Sequence, residues 1–134
     1  MILRHPWIAT LLGQVGLAYL GPHVMNLSDR MLGLFRTAGF PAGEANHAIS
    51  TVMAYVIGVG VNEAAWLSTL TRSGRSEEDL LTDLRPAIEQ AATDHPHMQQ
   101  QLAAYVDSDP VQSRDETFTY GLERVLDGLA AALP

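Results

Sequence analysis

Five histidines and fifteen acidic residues are the groups in this chain that could hold a metal or move a proton. His95 and His97 are separated only by Pro96, in the run Asp-His-Pro-His-Met. At a helix start their side chains diverge, so joint chelation is awkward and surface capping is the expected role. Glu44 and His47 are spaced i, i+3 and share a helix face. That pair lacks the third and fourth ligands of a metal site. His5 and His23 flank helix starts and are expected to be polar surface or cap residues. There is no cysteine, which removes thiolate ligands and disulfides together. No GxSxG, HExxH, P-loop or GxGxxG pattern occurs. The neighbours Asp29–Arg30 and Glu123–Arg124 are ordinary solvated pairs. No catalytic residue, metal ligand or cofactor is therefore assigned, and the chain is not expected to be an enzyme.

The composition narrows the classes further. The 134 residues suit one domain with a core, at 47% apolar content. The formal net charge is −7, the pI is near 5.0, and all eight basic residues are arginine. No basic stripe is present to neutralise nucleic-acid phosphates. The first residues, MILRHPW, lack the long apolar region of a secretory signal, so a cytoplasmic protein is expected.

The elements that would position any site read almost entirely as helix. Residues 5–20 form an apolar segment with Pro6 at its first turn. Gly21-Pro22 breaks it. Val24, Leu27, Met31, Leu34 and Phe35 then mark an amphipathic helix that ends at Gly39. A long helix is expected over residues 41–70, and a polar loop over 71–78. Ser76 and Asp79 resemble a capping box for a helix reaching Thr93. A shorter helix starts at Pro96. Residues 107–111 form a loop, and Ser113 with Glu116 gives a capping-box pattern for the last helix, 115–133. The fold class expected is all-α, an antiparallel bundle of about six helices in one domain, residues 1–134.

Two helices carry unusual apolar faces. Residues 52–61 contain no charge, yet ten residues are too few to span a bilayer. A helix apolar all round is covered all round, here by protein on one side and a partner subunit or ligand cavity on the other. Gly58 and Gly60 lie within it. In the last helix Phe118, Leu122, Val125, Leu129 and Ala132 form one stripe. Gly121 and Gly128 sit beside it, two turns apart. Each glycine costs a helix about 1 kcal/mol relative to alanine, which suggests that another helix backbone comes close. Trp7, Leu11, Leu12, Leu27, Met31, Phe35, Met53 and Val56 are candidates to line an apolar cavity, or to fill an ordinary core. Thr10, Tyr19, Tyr55 and Asn62 could supply the polar contacts of such a cavity.

The segment AGFPAGEANHAISTVMAYVIGVGVNEAAW (38–66), followed after a variable loop by FTYGLERVLDGLAAAL (118–133), resembles the C-terminal domain of tetracycline-repressor (TetR/AcrR) regulators. The HPW near the start and the LGP at 20–22 fit that family. The resemblance implies a domain that binds a small apolar or aromatic effector and forms a homodimer. It implies a four-helix interface built from the long helix and the last helix of each subunit. Candidate interface residues are Ile57, Gly58, Val61, Ala65, Phe118, Gly121, Leu122, Val125 and Leu129.

The family's N-terminal helix-turn-helix has no counterpart in this sequence, as expected for a fragment, a misplaced start or a natural remnant. DNA is thus expected as a partner only through that half, and no membrane is expected. The places matching the family's magnesium–tetracycline ligands fall near Leu11 and Asn62, where no histidine stands, so that site is not expected. The expected function is effector sensing and dimerisation for a TetR-like regulator, more often a repressor in this family. The alternatives are a structural helical dimer without a pocket and, last, a small helical enzyme.

Overall fold

The computed structural model describes residues 22–105 and 108–133. These hold five helices: α1 (Pro22–Thr37), α2 (Ala42–Ser73), α3 (Glu77–Ala91), α4 (Pro96–Tyr105) and α5 (Pro110–Ala131). The all-α class holds, with no strand among the described residues. The helix expected over 5–20 lies outside the described residues.

Helix α1 begins at the proline that ends the Gly-Pro break, where the missing N–H removes no helical bond. It ends as the glycine predicted. Gly39 has φ +109°, a conformation that side chains with a Cβ rarely adopt. That reversal lets the Gly39 N–H reach the Arg36 carbonyl (3.1 Å) and the Phe40 N–H reach the Phe35 carbonyl (3.1 Å). The pair of bonds is a Schellman motif. The apolar contact that accompanies such motifs is present: the Phe35 and Phe40 rings lie 5.5 Å apart. Gly39→Ala is therefore expected to cost about 1–2 kcal/mol, through the positive φ alone. A urea midpoint equal to that of the parent protein would contradict it.

Helix α2 starts on the Pro41 carbonyl, which accepts from the Glu44 and Ala45 N–H groups (3.0 and 2.9 Å). It runs to Ser73, three residues past the expected end. The polar residues read as loop continue the helix because their hydroxyls bond back to the preceding turn. Thr71 donates to the Leu67 carbonyl (2.9 Å) and Ser73 to the Leu70 carbonyl (2.7 Å). Gly74, at φ +66°, makes the turn that follows.

Ser76 caps α3 as expected, accepting from the Asp79 N–H (3.1 Å) while its hydroxyl donates to the Asp79 carboxylate (2.6 Å). Three acidic residues in the first turn suit the positive end of the helix. The helix tolerates Pro86 in its interior and stops at Ala91, before the expected Thr93.

The start of α5 differs from expectation. It begins at Pro110, five residues before Asp115. The cap is Asp109, whose carboxylate accepts from the Val111 and Gln112 N–H groups (2.7 and 3.2 Å), with Pro110 at the first helical position. The Ser113/Glu116 pattern lies inside the helix. Glu116 takes a bond from the Gln112 side chain (2.7 Å), and the Ser113 carbonyl takes one from Thr117 (2.7 Å). An Asp-Pro pair outcompetes a Ser-x-x-Glu pair here because its proline preorganises the first turn.

Contacts group the chain into two compact units, Met1–Ala65 with Phe118–Pro134, and Trp66–Thr117. In the first, Phe40, Ala45 and Ala48 are buried and Leu32, Phe35, Leu129 and Leu133 pack on them. One turn separates Ala45 from Ala48, and two alanines in that register let neighbouring side chains sit close to the α2 backbone. Further along α2, Tyr55 meets Phe118. Rising numbers on α2 thus meet falling numbers on α5, so the two helices run antiparallel within this unit.

Candidate functional site

Tyr55 ties together the two helices that carry the candidate interface. Tyr55, on α2, stacks its ring on Phe118 at 5.8 Å between centroids and 28° between planes. Its hydroxyl donates to the Phe118 backbone carbonyl (2.9 Å). Gly121 sits one turn further along α5, directly beneath that ring. A Cβ at Gly121 would fall 2.6 Å from Tyr55 Cζ and 2.7 Å from Cε2, well inside contact distance. The close approach expected of this glycine is real, but an aromatic ring makes it rather than a helix backbone. Gly128, two turns on, has nothing among the described residues within 4 Å of where its Cβ would stand.

The rest of the α5 stripe is mixed, since Ala132 is exposed. Leu122, Val125 and Leu129 are half-buried like Phe118, and Leu129 packs on the Phe40 core. On α2, Ile57 and Val61 are half-buried, while Gly58 and Ala65 are exposed. Ala54, Gly58, Asn62 and Ala65 make an exposed line of small residues at helical spacing. Gly58 has open space where its Cβ would be. The opposite side of α5 shows Tyr120, 67% exposed, with the Arg124 guanidinium 5.5 Å from its ring centroid. Arg124 also pairs with Asp127 at 2.8 Å, closer than the 3.8 Å to its neighbour Glu123.

The cavity candidates divide. Trp7, Thr10, Leu11, Leu12 and Tyr19 lie outside the described residues. Met31, Phe35, Met53, Tyr55 and Val56 are half-buried, and Phe35 packs on the Phe40 core. Leu27 is 55% exposed and Asn62 is exposed. The Tyr55 hydroxyl is engaged by the Phe118 carbonyl.

In the second unit the structure assembles a polar group that no sequence pattern marks. Glu77, the first residue of α3, accepts through Oε1 from the Trp66 indole N–H and from the Arg114 guanidinium. The Glu77 and Arg114 side chains retain only 18% and 27% of their exposure. Three helices meet there: the end of α2, the start of α3 and the first turns of α5. Sequence separations of 11 and 37 residues explain why periodicity did not reveal it. Among the described histidines, His95 immediately precedes α4, and its carbonyl accepts from the Gln99 N–H (3.0 Å).

Among the described residues the fold is all-α, with the long helix α2 running antiparallel to the last helix within the first unit. Residues 1–133 match the family model described as tetracyclin repressor-like, C-terminal domain, and the chain belongs to that family. It is 27% identical over 128 residues to the HTH-type transcriptional repressor DrrR1 of Streptomyces coeruleorubidus. That match takes in 94% of this chain and 45% of the repressor, so the chain spans less than half the length of its curated relative.

Proposed function

We infer that this chain is the effector-sensing and dimerisation part of a TetR-like transcriptional repressor, with α2 and α5 of two copies packed together. One observation carries the dimer. Helix α2 is long and apolar enough to cross a bilayer by length and composition alone, yet only 11% of its most apolar stretch is buried. Such a surface needs a cover. Glu44, His47, Asn62, Glu63 and Arg72 punctuate the same helix, which suits a protein cover rather than lipid. The exposed small residues Ala54, Gly58 and Ala65 let a second helix approach to the shortest spacing, about 8 Å between axes.

The test is the solution mass of Gly58→Leu beside that of the parent chain. The parent is expected at twice 14.5 kDa by light scattering. A Cβ at position 58 meets nothing within 4 Å among the described residues and the residue is exposed, so the variant should fold. It should weaken self-association at least tenfold, since it fills the line of approach, a penalty of about 1.4 kcal/mol or more. A parent monomer at high concentration, or a variant that dimerises as well as the parent, removes this interface.

The effector seat in this reading lies around Met31, Phe35, Met53 and Val56, with Trp7, Leu11, Leu12, Leu27, Tyr55 and Asn62. Half-buried methionine and aromatic side chains adapt to apolar ligands. Titration with a panel of aromatic compounds, followed by methyl-methionine NMR, should move Met31 and Met53. A panel that moves neither places the effector elsewhere. Operator reading belongs to a helix-turn-helix outside this chain, because a polypeptide of net charge −7 has little to offer phosphates. Effector and DNA would be coupled through two dimer geometries that the effector binds unequally. The cytoplasm follows as the working compartment.

A further inference from the structure

The end of α3 and the start of α4 flank a shallow, half-open apolar hollow of about 220 Å³, lined by Ile88, Ala91, Ala92, His95 and Met98. Ala92 forms its buried floor, while Ile88 and Met98 stay 39% and 49% exposed at its rim. Leu84, one turn before Ile88, is exposed in the same register. The apolar strip from Leu84 to Ala92 is about 12 Å long, or two helical turns, which exceeds what the hollow alone requires.

The charge around this strip is predominantly acidic, with Arg85 the one arginine within its span. The unit that contains it, Trp66–Thr117, holds ten of the fifteen acidic residues and four of the eight arginines. Glu89 and Asp94, next in sequence to the lining residues Ile88 and His95, are exposed. No basic residue stands in the last turn of α3, so the partial negative charge of its carbonyl end adds to theirs.

We propose that this face docks a basic amphipathic helix of another protein. One apolar side chain of that helix enters the hollow, and its arginines or lysines meet Glu89, Asp94 and the carbonyl end of α3. The length of the strip favours a helix over a small molecule, because anchors at i, i+3 or i+4 and i+7 match a two-turn apolar surface. The acidic surround disfavours a second copy of this chain, which would bring like charge, and disfavours an anionic bilayer for the same reason.

The test uses the intact chain and a fluorescein-labelled peptide of 18 or so residues, with leucines in one helical stripe and arginines elsewhere. Two control peptides are used, one scrambled at the same composition and one with glutamate for every arginine. Fluorescence anisotropy should show saturable binding of the striped arginine peptide, at least tenfold tighter than either control. Ile88→Asp and Met98→Gln should each weaken it at least tenfold, and the methyl signal of Met98 should shift on binding. Ile88→Asp adds negative charge, so mere attraction of a cationic peptide would tighten instead. Binding of the scrambled peptide within threefold of the striped one, unchanged affinity in both variants, or no saturable binding overturns the proposal. Met98→Gln keeps the test decisive if Ile88→Asp does not fold. Peptide binding is independent of the dimer reading, since Gly58→Leu leaves this face untouched.

Discussion

Gly121→Ala is expected to destabilise the protein by about 2 kcal/mol, although alanine is the better helix former by about 1 kcal/mol. The new methyl group cannot coexist with the Tyr55 ring at 2.6–2.7 Å. The ring must swing away, and with it go its stack on Phe118 and its bond to the Phe118 carbonyl. Those two contacts are worth roughly 1–1.5 kcal/mol each, which outweighs the gain in propensity. Gly128→Ala supplies the internal comparison. Nothing among the described residues stands within 4 Å of that position, so the same change within the folded chain should be stabilising by about 1 kcal/mol. Tyr55→Ala is destabilising alone, yet in its background Gly121→Ala should become harmless. Urea denaturation of the four variants closes the cycle. A coupling energy near zero between positions 55 and 121 would show that the ring does not occupy this site.

Glu77→Ala is expected to have the largest effect of any single change in the second unit, about 3 kcal/mol. It removes the carboxylate that pairs with the half-buried Arg114 guanidinium and the acceptor of the Trp66 indole. Glu77→Gln keeps an oxygen at the same place and should lose only about 1–2 kcal/mol, the difference between a charged and a neutral acceptor. The two tryptophans are Trp7 and Trp66, so a Trp7→Phe background makes Trp66 the sole reporter. Its emission should shift to the red in Glu77→Ala as the indole loses its partner, and stay near the parent wavelength in Glu77→Gln. Because both side chains are mostly shielded, the effect should survive 0.5 M salt, where an exposed pair such as Arg75–Asp83 would fade. Equal stability of Glu77→Ala and the parent would mean that the group contributes nothing to holding the three helices.

Local chemistry was legible wherever a signal acts within a few residues. Gly39 ended α1 because a positive φ is a property of one residue and its neighbours. Ser76 capped α3 because its hydroxyl reaches only its own first turn. Boundaries failed where two local signals competed. Residues 107–111 read as loop and Ser113-x-x-Glu116 as the helix start, yet the helix begins at Pro110 with Asp109 as its cap, because the proline sets φ for the first turn. Thr71 and Ser73 read as loop, yet their hydroxyls serve a helix equally well by bonding back a turn.

The sequence by itself determined the all-α class, the apolar stripes of α2 and α5, the absence of thiol chemistry and the resemblance to tetracycline-repressor C-terminal domains that the family match bears out. Helical periodicity and composition are one-dimensional, so they can be read along the chain. Only the tertiary structure decided what each stripe faces. It placed Tyr55 over Gly121 and Phe118, packed Leu129 on the Phe40 core, and left Gly58 and Gly128 open among the described residues. It also brought Trp66, Glu77 and Arg114 to one oxygen. A stripe specifies that a face must be covered, and carries no information about the rotation of the helix against its neighbours or the identity of the cover. That choice rests on packing among residues tens of positions apart, which becomes defined only when the helices meet.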